Sequence, residues 1–203
     1  MDIRELKVPD AYEFTPRQHR DDRGVFLELF TTGSFADAIG HPLQLAQSNC
    51  SVSSRGTLRG IHFAQLPPGQ AKYVTCVAGA GLDVIVDIRV GSPAFGEWDA
   101  VVLDETDRRA VYVAEGLGHA FLAMSDNATL LYLCSDVHRP TREHGLHPLD
   151  PAIGVDWPRD VRPLLSPKDA GAPTLAEAQT EGLLPSYDET QAYYASLRDS
   201  TAS

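Results

Sequence analysis

The sequence predicts a mainly β protein, a sandwich or barrel, that ends in a helical tail. Between about residues 12 and 135, short segments rich in β-branched residues are separated by turn residues at intervals of about 8–12 positions. This spacing is typical of antiparallel sandwiches and barrels rather than of parallel α/β sheets. Helix-forming residues behind capping residues are concentrated after residue 174. At 203 residues, the chain is expected to form a single domain, with a barrel core at about 12–140 and a covering segment and helical tail at about 141–203.

Turn residues and side-chain alternation predict the individual strands. Residues 25–30 follow an Asp-rich turn that Gly24 closes. Residues 72–78 and 82–90 are separated by Gly79-Ala80-Gly81, a pattern that predicts a hairpin. Charges alternate with β-branched residues in the second of these segments, as is typical of a half-buried strand. Further strands are predicted at 110–113, 120–124 and 129–134.

Capping residues predict the helices. Ser34 and Gly40 bracket a short helix as its N-cap and its C-terminal glycine. Residues 174–182 and 188–198 carry the helical tail. The proline-rich segment 140–173 is expected to be an irregular covering segment.

Charge and composition exclude several classes of protein. There are 28 acidic and 17 basic side chains, a net charge of −11, which argues against a protein that coats nucleic-acid backbone. The apolar run 128–134 is far shorter than the ~20 residues that span a bilayer, and the N-terminus lacks the apolar core of a signal peptide. Cys50, Cys76 and Cys134 have no CxxC spacing, so they are expected to be buried free thiols in a reducing cytoplasm.

Polar side chains alternate along a predicted strand at residues 45–51. Gln47, Asn49 and Ser51 would share one face, because strand side chains alternate with period two. Such a face is costly in a dry core. It fits either a wet cavity that binds a polar ligand or a surface that faces solvent, and this segment alone favours neither.

Three basic residues cluster on adjacent predicted strands: Arg59, His62 and Lys72. Arg59 and His62 are three positions apart, so in a regular strand they would point to opposite faces. Gly60 permits a β-bulge that would direct both into one cavity. The cluster would combine two cations with one titratable base.

The segment Gly116-Leu117-Gly118-His119-Ala120-Phe121 resembles the second half of the cupin signature. The His-x-His pair of metal-binding cupins is missing, because Phe63 and Ala64 follow His62. His62 and His119 alone are fewer than the three or four ligands that a metal centre usually needs. The sequence is therefore similar to a cupin jelly-roll barrel without a metal. A metal-dependent cupin oxygenase or isomerase that uses these two histidines is the alternative.

Six motifs in order resemble the dTDP-4-dehydrorhamnose 3,5-epimerase family, and together they extend roughly from residue 3 to residue 185. They lie at residues 22–28, 58–63, 70–72, 118–121, 150–158 and 165–169. Agreement of several spaced motifs is far more specific than any one of them. A sugar-nucleotide binding module without catalysis is a further alternative, but it gives no reason for Asp169 to accompany His62.

The resemblance implies catalytic roles for four residues and an assisting role for a fifth. The family inverts C3 and C5 beside the C4 ketone of a dTDP-4-dehydro-6-deoxyhexose, by proton abstraction. By similarity, His62 is the base and Asp169 orients it. Lys72, with Arg59, would stabilise the oxyanion at C4, and Tyr132 would be the general acid on the opposite side. No cofactor and no metal is implied.

The resemblance also implies the substrate contacts and a homodimer. N-terminal strands exchanged between the two subunits would bring Arg23, Phe26 and Glu28 into the partner's cavity. The implied substrate-binding residues are Arg23, Phe26, Glu28, Gln47, Asn49, Arg59, His119, His138, Glu143 and Lys168.

One position departs from the family's pattern. His138 stands where the family often has a tyrosine that helps to pack the nucleotide and the catalytic tyrosine. The alternative activity is therefore epimerisation at C3 alone, as in natural-product deoxysugar pathways. A neutral exchange of one ring for another at this position is the simpler interpretation.

Overall fold

Two antiparallel sheets form the body of the protein, and a small hairpin stands apart from them. The computed structural model describes residues 1–199. The larger sheet has the strand order β1-β2-β10-β7-β12-β5, and the other has the order β13-β6-β11-β8-β9. The hairpin consists of β3 and β4, which pair with each other. This arrangement confirms the prediction of a mainly β, cupin-type jelly-roll barrel with short helices and a helical C-terminal tail.

The strands within residues 1–199 are short. Their bounds are β1 Asp2–Glu5, β2 Ala11–Thr15, β3 Gln18–Asp21, β4 Gly24–Leu27, β5 Gln47–Ser53, β6 Leu58–Ala64, β7 Lys72–Ala78, β8 Ala80–Val86, β9 Trp98–Asp104, β10 Ala110–Val113, β11 Gly118–Ala123, β12 Ala128–Cys134 and β13 Glu143–Gly145.

The main core lies between the two sheets. Phe14, Tyr73 and Leu130 of the larger sheet belong to one buried cluster with Ile85 and Phe121 of the other. A second buried cluster joins Ile61 and Phe63 of β6 to Leu146 and Ile153 of the covering segment. Burial of these side chains excludes water from most of the barrel. A polar part of the barrel interior forms the cavity described below.

The predicted hairpin at Gly79 is wrong. β7 pairs with β10 and β12 in the larger sheet, whereas β8 pairs with β9 and β11 in the other. The chain crosses from one sheet to the other at Gly79, which has a φ of +73°. Glycine adopts this left-handed conformation without the steric cost that other residues pay.

The strand predicted at 82–90 is present as β8, but the prediction that it is half-buried is wrong. β8 ends at Val86, and the charged residues of this segment are completely buried. Asp83 faces His119, whereas Arg89 donates two hydrogen bonds to Asp87, at 2.9 and 2.7 Å. The alternation of charges therefore marks buried ion pairs instead of a solvated face.

Most of the predicted helices are confirmed, with one corrected cap. α1 spans Thr32–Ile39 and ends at Gly40 in the left-handed conformation, but its N-cap is Thr31 and not Ser34. In the tail, α3 (Leu175–Thr180) begins with a capping box that joins Thr174 and Glu177, and α4 spans Tyr187–Asp199.

The tail helix α4 packs on the barrel. Tyr194 is buried and its hydroxyl donates a hydrogen bond to the carbonyl of Glu115. The guanidinium of Arg89 lies over the ring of Tyr187, 5.1 Å from its centroid. The covering segment is largely irregular, as predicted, apart from the 3₁₀ turn Pro140–Arg142, β13 and the short helix α2, Pro167–Ala170.

Two predictions from the sequence concern the cellular compartment of the protein. Within residues 1–199, none of the helices combines the length and the apolar character that crossing a bilayer requires. All three cysteines are free, and Cys76 and Cys134 are buried as predicted. The prediction for Cys50 is wrong, because it is exposed on the edge strand β5.

Candidate active site

A polar cavity opens between the two sheets. Its volume is about 320 Å³, within the size range of small-molecule sites. Side chains from both sheets and from the covering segment line it: Asn49, Ser51, Arg59, His62, Gln70, Lys72, His119, Phe121, Tyr132, Cys134, His138, Glu143, His144 and Lys168.

A β-bulge in β6 directs both Arg59 and His62 into this cavity. His62 pairs with His119 and Arg59 pairs with Phe121, so two residues of β6 lie opposite the single residue Ala120. Gly60 has a φ of +115°, and a Cβ there would lie 2.5 Å from the carbonyl oxygen of His119. Glycine is therefore required at this position. The bulge predicted from the sequence is confirmed.

His62 forms a dyad with Asp169 of α2. The Nε2 atom of His62 lies 2.6 Å from Oδ1 of Asp169, and Oδ2 of Asp169 accepts a hydrogen bond from Ser166 Oγ at 2.8 Å. Because a carboxylate only accepts, the neutral imidazole carries its proton on Nε2, and Nδ1 holds the lone pair. Burial lowers the pKa of His62, and the hydrogen bond that His62 donates to Asp169 opposes that shift. The neutral ring is thus a base held in one orientation.

Tyr132 approaches the cavity from the opposite sheet. It lies on β12, on the inward face that it shares with the buried residues Leu130 and Cys134, whereas His62 lies on β6. Its hydroxyl is 3.4 Å from Ser51 Oγ. Burial raises the pKa of Tyr132 to about 12, so the phenol is protonated at neutral pH. The cavity therefore has a base on one wall and a proton donor on the other.

Lys72 begins β7 beside Cys134, with which it pairs in the sheet. Burial lowers the pKa of Lys72, and the nearby carboxylates of Glu143, Asp83 and Glu115 oppose this shift. An ammonium in such a water-poor wall can stabilise negative charge that develops on a bound molecule.

A second histidine–aspartate pair lies next to the first. Nε2 of His119 is 2.7 Å from Oδ1 of the fully buried Asp83, and its ring meets the Tyr132 ring edge to face at 6.4 Å. Within residues 1–199, His, Cys, Asp and Glu side chains form no group of three that could hold a metal ion. His62 and His119 each face an aspartate of their own instead.

Polar residues from β5 and the covering segment meet at the rim. Gln47 donates to Asn49 Oδ1 at 2.7 Å and accepts from the backbone N–H of His138 at 2.9 Å. Nδ1 of His138 lies 3.7 Å from Glu143 Oε1. Asn49 and Ser51 line the cavity, whereas Gln47 supports that wall without lining it. Of the two arrangements left open for this strand, the wet cavity is the correct one.

Two further cations reach the cavity wall. Arg59 donates from Nε to Ser53 Oγ at 3.1 Å, and Lys168 lines the cavity from α2. Together with Lys72 they place positive charge in a cavity of an acidic protein, which attracts anionic ligands locally.

The three N-terminal residues predicted to bind substrate lie elsewhere. Arg23, Phe26 and Glu28 are exposed on the hairpin or just after it, and they do not line the cavity of their own chain. Phe26 is 70% exposed, which is unusual for a large aromatic side chain on a strand.

Sequence reasoning missed four residues of the cavity wall. Phe121 and Cys134 follow His119 and Tyr132 by two positions, so strand alternation places each on the same face as its neighbour. Gln70 lies in the irregular segment just before β7, and His144 lies on β13, a strand that the sequence did not predict. No periodic signal marks these last two.

Known proteins resemble this chain over nearly its whole length. The chain matches the dTDP-4-dehydrorhamnose 3,5-epimerase family over residues 5–177. The chain belongs to that family. It is 55% identical over 198 residues to the dTDP-4-dehydrorhamnose 3,5-epimerase of Mycolicibacterium smegmatis, and the match covers 98% of each chain. The resemblance inferred from the sequence motifs is confirmed, and the protein is an isomerase.

Solved structures of the epimerase family share its fold. The rmlC epimerase of Mycobacterium tuberculosis is 54% identical, superimposes with a TM-score of 0.96, and the match covers 98% of this chain and 100% of that one. The 3'-monoepimerase ChmJ of Streptomyces bikiniensis, solved with dTDP-quinovose, is 51% identical with a TM-score of 0.93 over 95% of this chain and 98% of that one. Structures similar to this dTDP-4-dehydrorhamnose 3,5-epimerase family member therefore include complexes with dTDP-sugars.

Proposed function

We propose that this protein epimerises a dTDP-linked 4-dehydro-6-deoxyhexose at C3 and C5. The observation that carries the proposal is the placement of the His62–Asp169 dyad and of Tyr132 on opposite sheets of one cavity. Inversion beside a ketone requires removal of a proton from one face of the ring and its return from the other. A base and an acid on facing walls satisfy this requirement.

The reaction proceeds through an enolate. The Nδ1 lone pair of His62 takes the hydrogen beside the ketone, the C–H bonding electrons form a C=C bond, and the carbonyl π electrons move onto O4. Lys72 stabilises that oxyanion, and Arg59 assists. Tyr132 then donates its phenolic proton to the opposite face of the carbon as the ketone re-forms. Asp169 stabilises the imidazolium in the meantime. The imidazolium and the phenolate regain their resting states by proton exchange with water, so the reaction needs no cofactor.

The polar wall of the cavity binds the rest of the substrate. Arginine matches the paired oxygens of a diphosphate, so Arg59 is placed to hold it, with Lys168 nearby. His119 lines the sugar pocket. Residues at the rim contact the base and phosphates: Gln47, Asn49, His138 and Glu143.

We infer that the protein is a homodimer in which the β3–β4 hairpin of one subunit reaches the cavity of the other. The hairpin pairs with neither large sheet and exposes Phe26, and the partner's pocket would cover that ring. Arg23 would contact the diphosphate, and Phe26 would stack on thymine beside Glu28. The free cysteines agree with a reducing cytoplasm as the compartment.

Hydrogen exchange in deuterated water tests the proposed reaction. The purified protein is incubated with the dTDP-4-dehydro-6-deoxyhexose in D2O, and NMR follows the signals at C3 and C5. We expect loss of both signals together with inverted product, and no change with His62→Ala. Exchange and inversion at C3 alone would identify a C3-specific epimerase, the activity that His138 leaves as the alternative.

Two other outcomes would overturn the proposal. Binding of the nucleotide sugar without exchange at either carbon would indicate a binding module. Loss of activity after chelation, restored by a transition metal, would indicate the metal-dependent cupin reaction through His62 and His119. We expect full activity after chelation.

A further inference from the structure

Glu115 is a buried carboxylate behind the cavity wall that has no part in the proposed mechanism. It lies between β10 and β11 and is only 3% exposed. Its Oε1 accepts a hydrogen bond from Ser135 Oγ at 3.0 Å, whereas its Oε2 has no hydrogen-bond partner among the described residues. A buried carboxylate with an unsatisfied oxygen is costly, so a purely structural role does not explain why this side chain is a glutamate.

Hydrogen bonds connect Glu115 to the strand ends that form the cavity wall. Ser135 Oγ accepts from the backbone N–H of Ala71 at 2.8 Å, and the backbone N–H of Ser135 donates to the carbonyl of Ala71 at 3.0 Å. Ala71 immediately precedes Lys72, and Ser135 immediately follows Cys134. Glu115 is therefore linked through one hydroxyl to the backbone that carries Lys72.

Lys72 is the electrostatic partner of Glu115 among the charged and titratable groups around that carboxylate. The phenols of Tyr112, Tyr193 and Tyr194 face it from β10 and α4, and burial raises the pKa of each, so they are uncharged at neutral pH. Glu115 lines a small cavity of about 50 Å³ behind the wall of the larger one, and His41 lines this small cavity as well. Burial raises the pKa of Glu115 and lowers the pKa of Lys72, and the charge of each group opposes the shift of the other.

We propose that Glu115 is a positioning residue for Lys72: it fixes the backbone at Ala71 through Ser135, and its negative charge adds to those that keep the Lys72 ammonium protonated inside the cavity. The inference rests on the proposed role of Lys72 at the oxyanion. Glu143, which lines the cavity from β13, and Asp83, which is fully buried on β8, also act on Lys72. Glu115 acts on Lys72 from behind the cavity wall, where bound substrate does not displace it.

Glu115→Gln tests the charge, because the amide oxygen still accepts from Ser135. NMR titration of the Lys72 side chain, in protein labelled with ¹³C-lysine and assigned with Lys72→Gln, measures the pKa without any need for activity. We expect the pKa of Lys72 to fall by about one unit in Glu115→Gln. We also expect kcat to fall about tenfold with KM nearly unchanged, and the alkaline limb of the kcat profile to move to lower pH.

Glu13→Gln is the matched control, because Glu13 is also a buried carboxylate, 6% exposed, but pairs with Arg4 on the outer part of the larger sheet. It should leave the pKa of Lys72 and the pH profile unchanged. An unchanged pKa of Lys72 in Glu115→Gln would overturn the proposal even if the variant is less stable. If Glu115→Gln does not fold, Glu115→Asp is used instead, because it keeps the charge but has a shorter side chain that moves the carboxylate away from Ser135. An unchanged kcat in Glu115→Asp would then be the contrary result.

Failure of this inference is distinct from failure of the proposed reaction. The wild-type exchange experiment decides whether the protein is an epimerase. The titration of Lys72 decides whether Glu115 controls its charge.

Discussion

Asp169 holds His62 by a 2.6 Å contact between Oδ1 and Nε2, and Ser166 holds Asp169 in turn. The Oγ of Ser166 donates to Oδ2 of Asp169 and accepts from its backbone N–H at the start of α2. The side chain of Asp169 is 8% exposed, whereas that of His62 is 36% exposed. The carboxylate is thus fixed beneath the covering segment while the imidazole reaches the cavity. This difference in exposure between the two side chains predicts how each residue responds to substitution.

We expect Asp169→Asn to lower kcat about 100-fold, because an amide neither fixes the required tautomer through a charge nor stabilises the imidazolium. The negative charge of Asp169 raises the pKa of His62 against the effect of burial. Its removal lowers that pKa further. Since the neutral ring is the active form, the acid limb of the rate profile should move to lower pH.

Deuterium exchange rates measured across pH check this expectation for Asp169→Asn. Ser166→Ala is the control, because it keeps the carboxylate charge and removes only the Ser166 hydroxyl, which donates to Oδ2 of Asp169 and accepts from its backbone N–H. It should lower kcat much less and leave the acid limb in place. An acid limb that moves to higher pH in Asp169→Asn would contradict the dyad.

Tyr132→Phe should separate proton removal from inversion. His62 still removes the proton and can return deuterium to the same face, so substrate should exchange slowly without change of configuration. Inverted product should fall by at least about 100-fold, since a general acid contributes roughly 10²–10⁴ in rate. NMR of the recovered sugar measures both quantities.

His62→Ala is the matched comparison, because it should abolish exchange and inversion together. Ser51→Ala removes only the neighbour 3.4 Å from the phenol and should retain inversion. Normal inversion by Tyr132→Phe would show that another group, or water, protonates the carbon.

Mixed dimers test whether the hairpin acts on the partner subunit. We expect His62→Ala and Arg23→Ala each to be poorly active alone. A heterodimer would combine an intact dyad in one subunit with an intact hairpin from the other, so mixing after dissociation should restore about one wild-type site in half of the assemblies formed. Activity before and after mixing, with mass measured in solution, gives the result.

The control for the mixing experiment combines both substitutions in one chain. A mixture of that double variant with His62→Ala contains no complete site, so activity should not recover. If Arg23→Ala and His62→Ala also fail to complement each other in a confirmed dimer, the hairpin does not act across subunits.

Much of the cavity was predictable because its signals are local. Gly60 between Arg59 and His62 predicted a bulge, and the pairing of β6 with β11 contains it. Alternation along β5 placed Asn49 and Ser51 on one face. Each inference needed only the period of a strand and the conformational freedom of glycine.

Other features depend on which sheet a strand joins, and the sequence carries no local signal for that choice. Gly79 looks like a hairpin turn, but β7 and β8 belong to different sheets. Asp83, Asp87 and Arg89 look like a solvated face because alternation does not reveal that His119 and other partners lie opposite them. Glu115 was missed for the same reason, since its link to Lys72 passes through Ser135, which follows a different strand.

The buried ion pair of Arg89 and Asp87 provides a last test, of stability. Both side chains are 0% exposed, and Arg89 also contacts Asp10 at 2.6 Å. Arg89→Met keeps much of the apolar volume but leaves the carboxylate of Asp87 buried without its cation. We therefore expect the free energy of unfolding to fall by about 3–5 kcal/mol, measured by urea denaturation at fixed protein concentration.

Two comparisons identify the cause of that loss. Arg55→Met breaks an exposed pair with Asp160 and should cost less than about 1 kcal/mol. Adding Asp87→Asn to Arg89→Met removes the unpaired charge and should recover part of the stability. The contrary outcome is a double variant that is less stable than Arg89→Met by the full cost of a second independent substitution. In that case the uncompensated charge is not what destabilises the protein. The loss then arises from packing around the guanidinium and the ring of Tyr187.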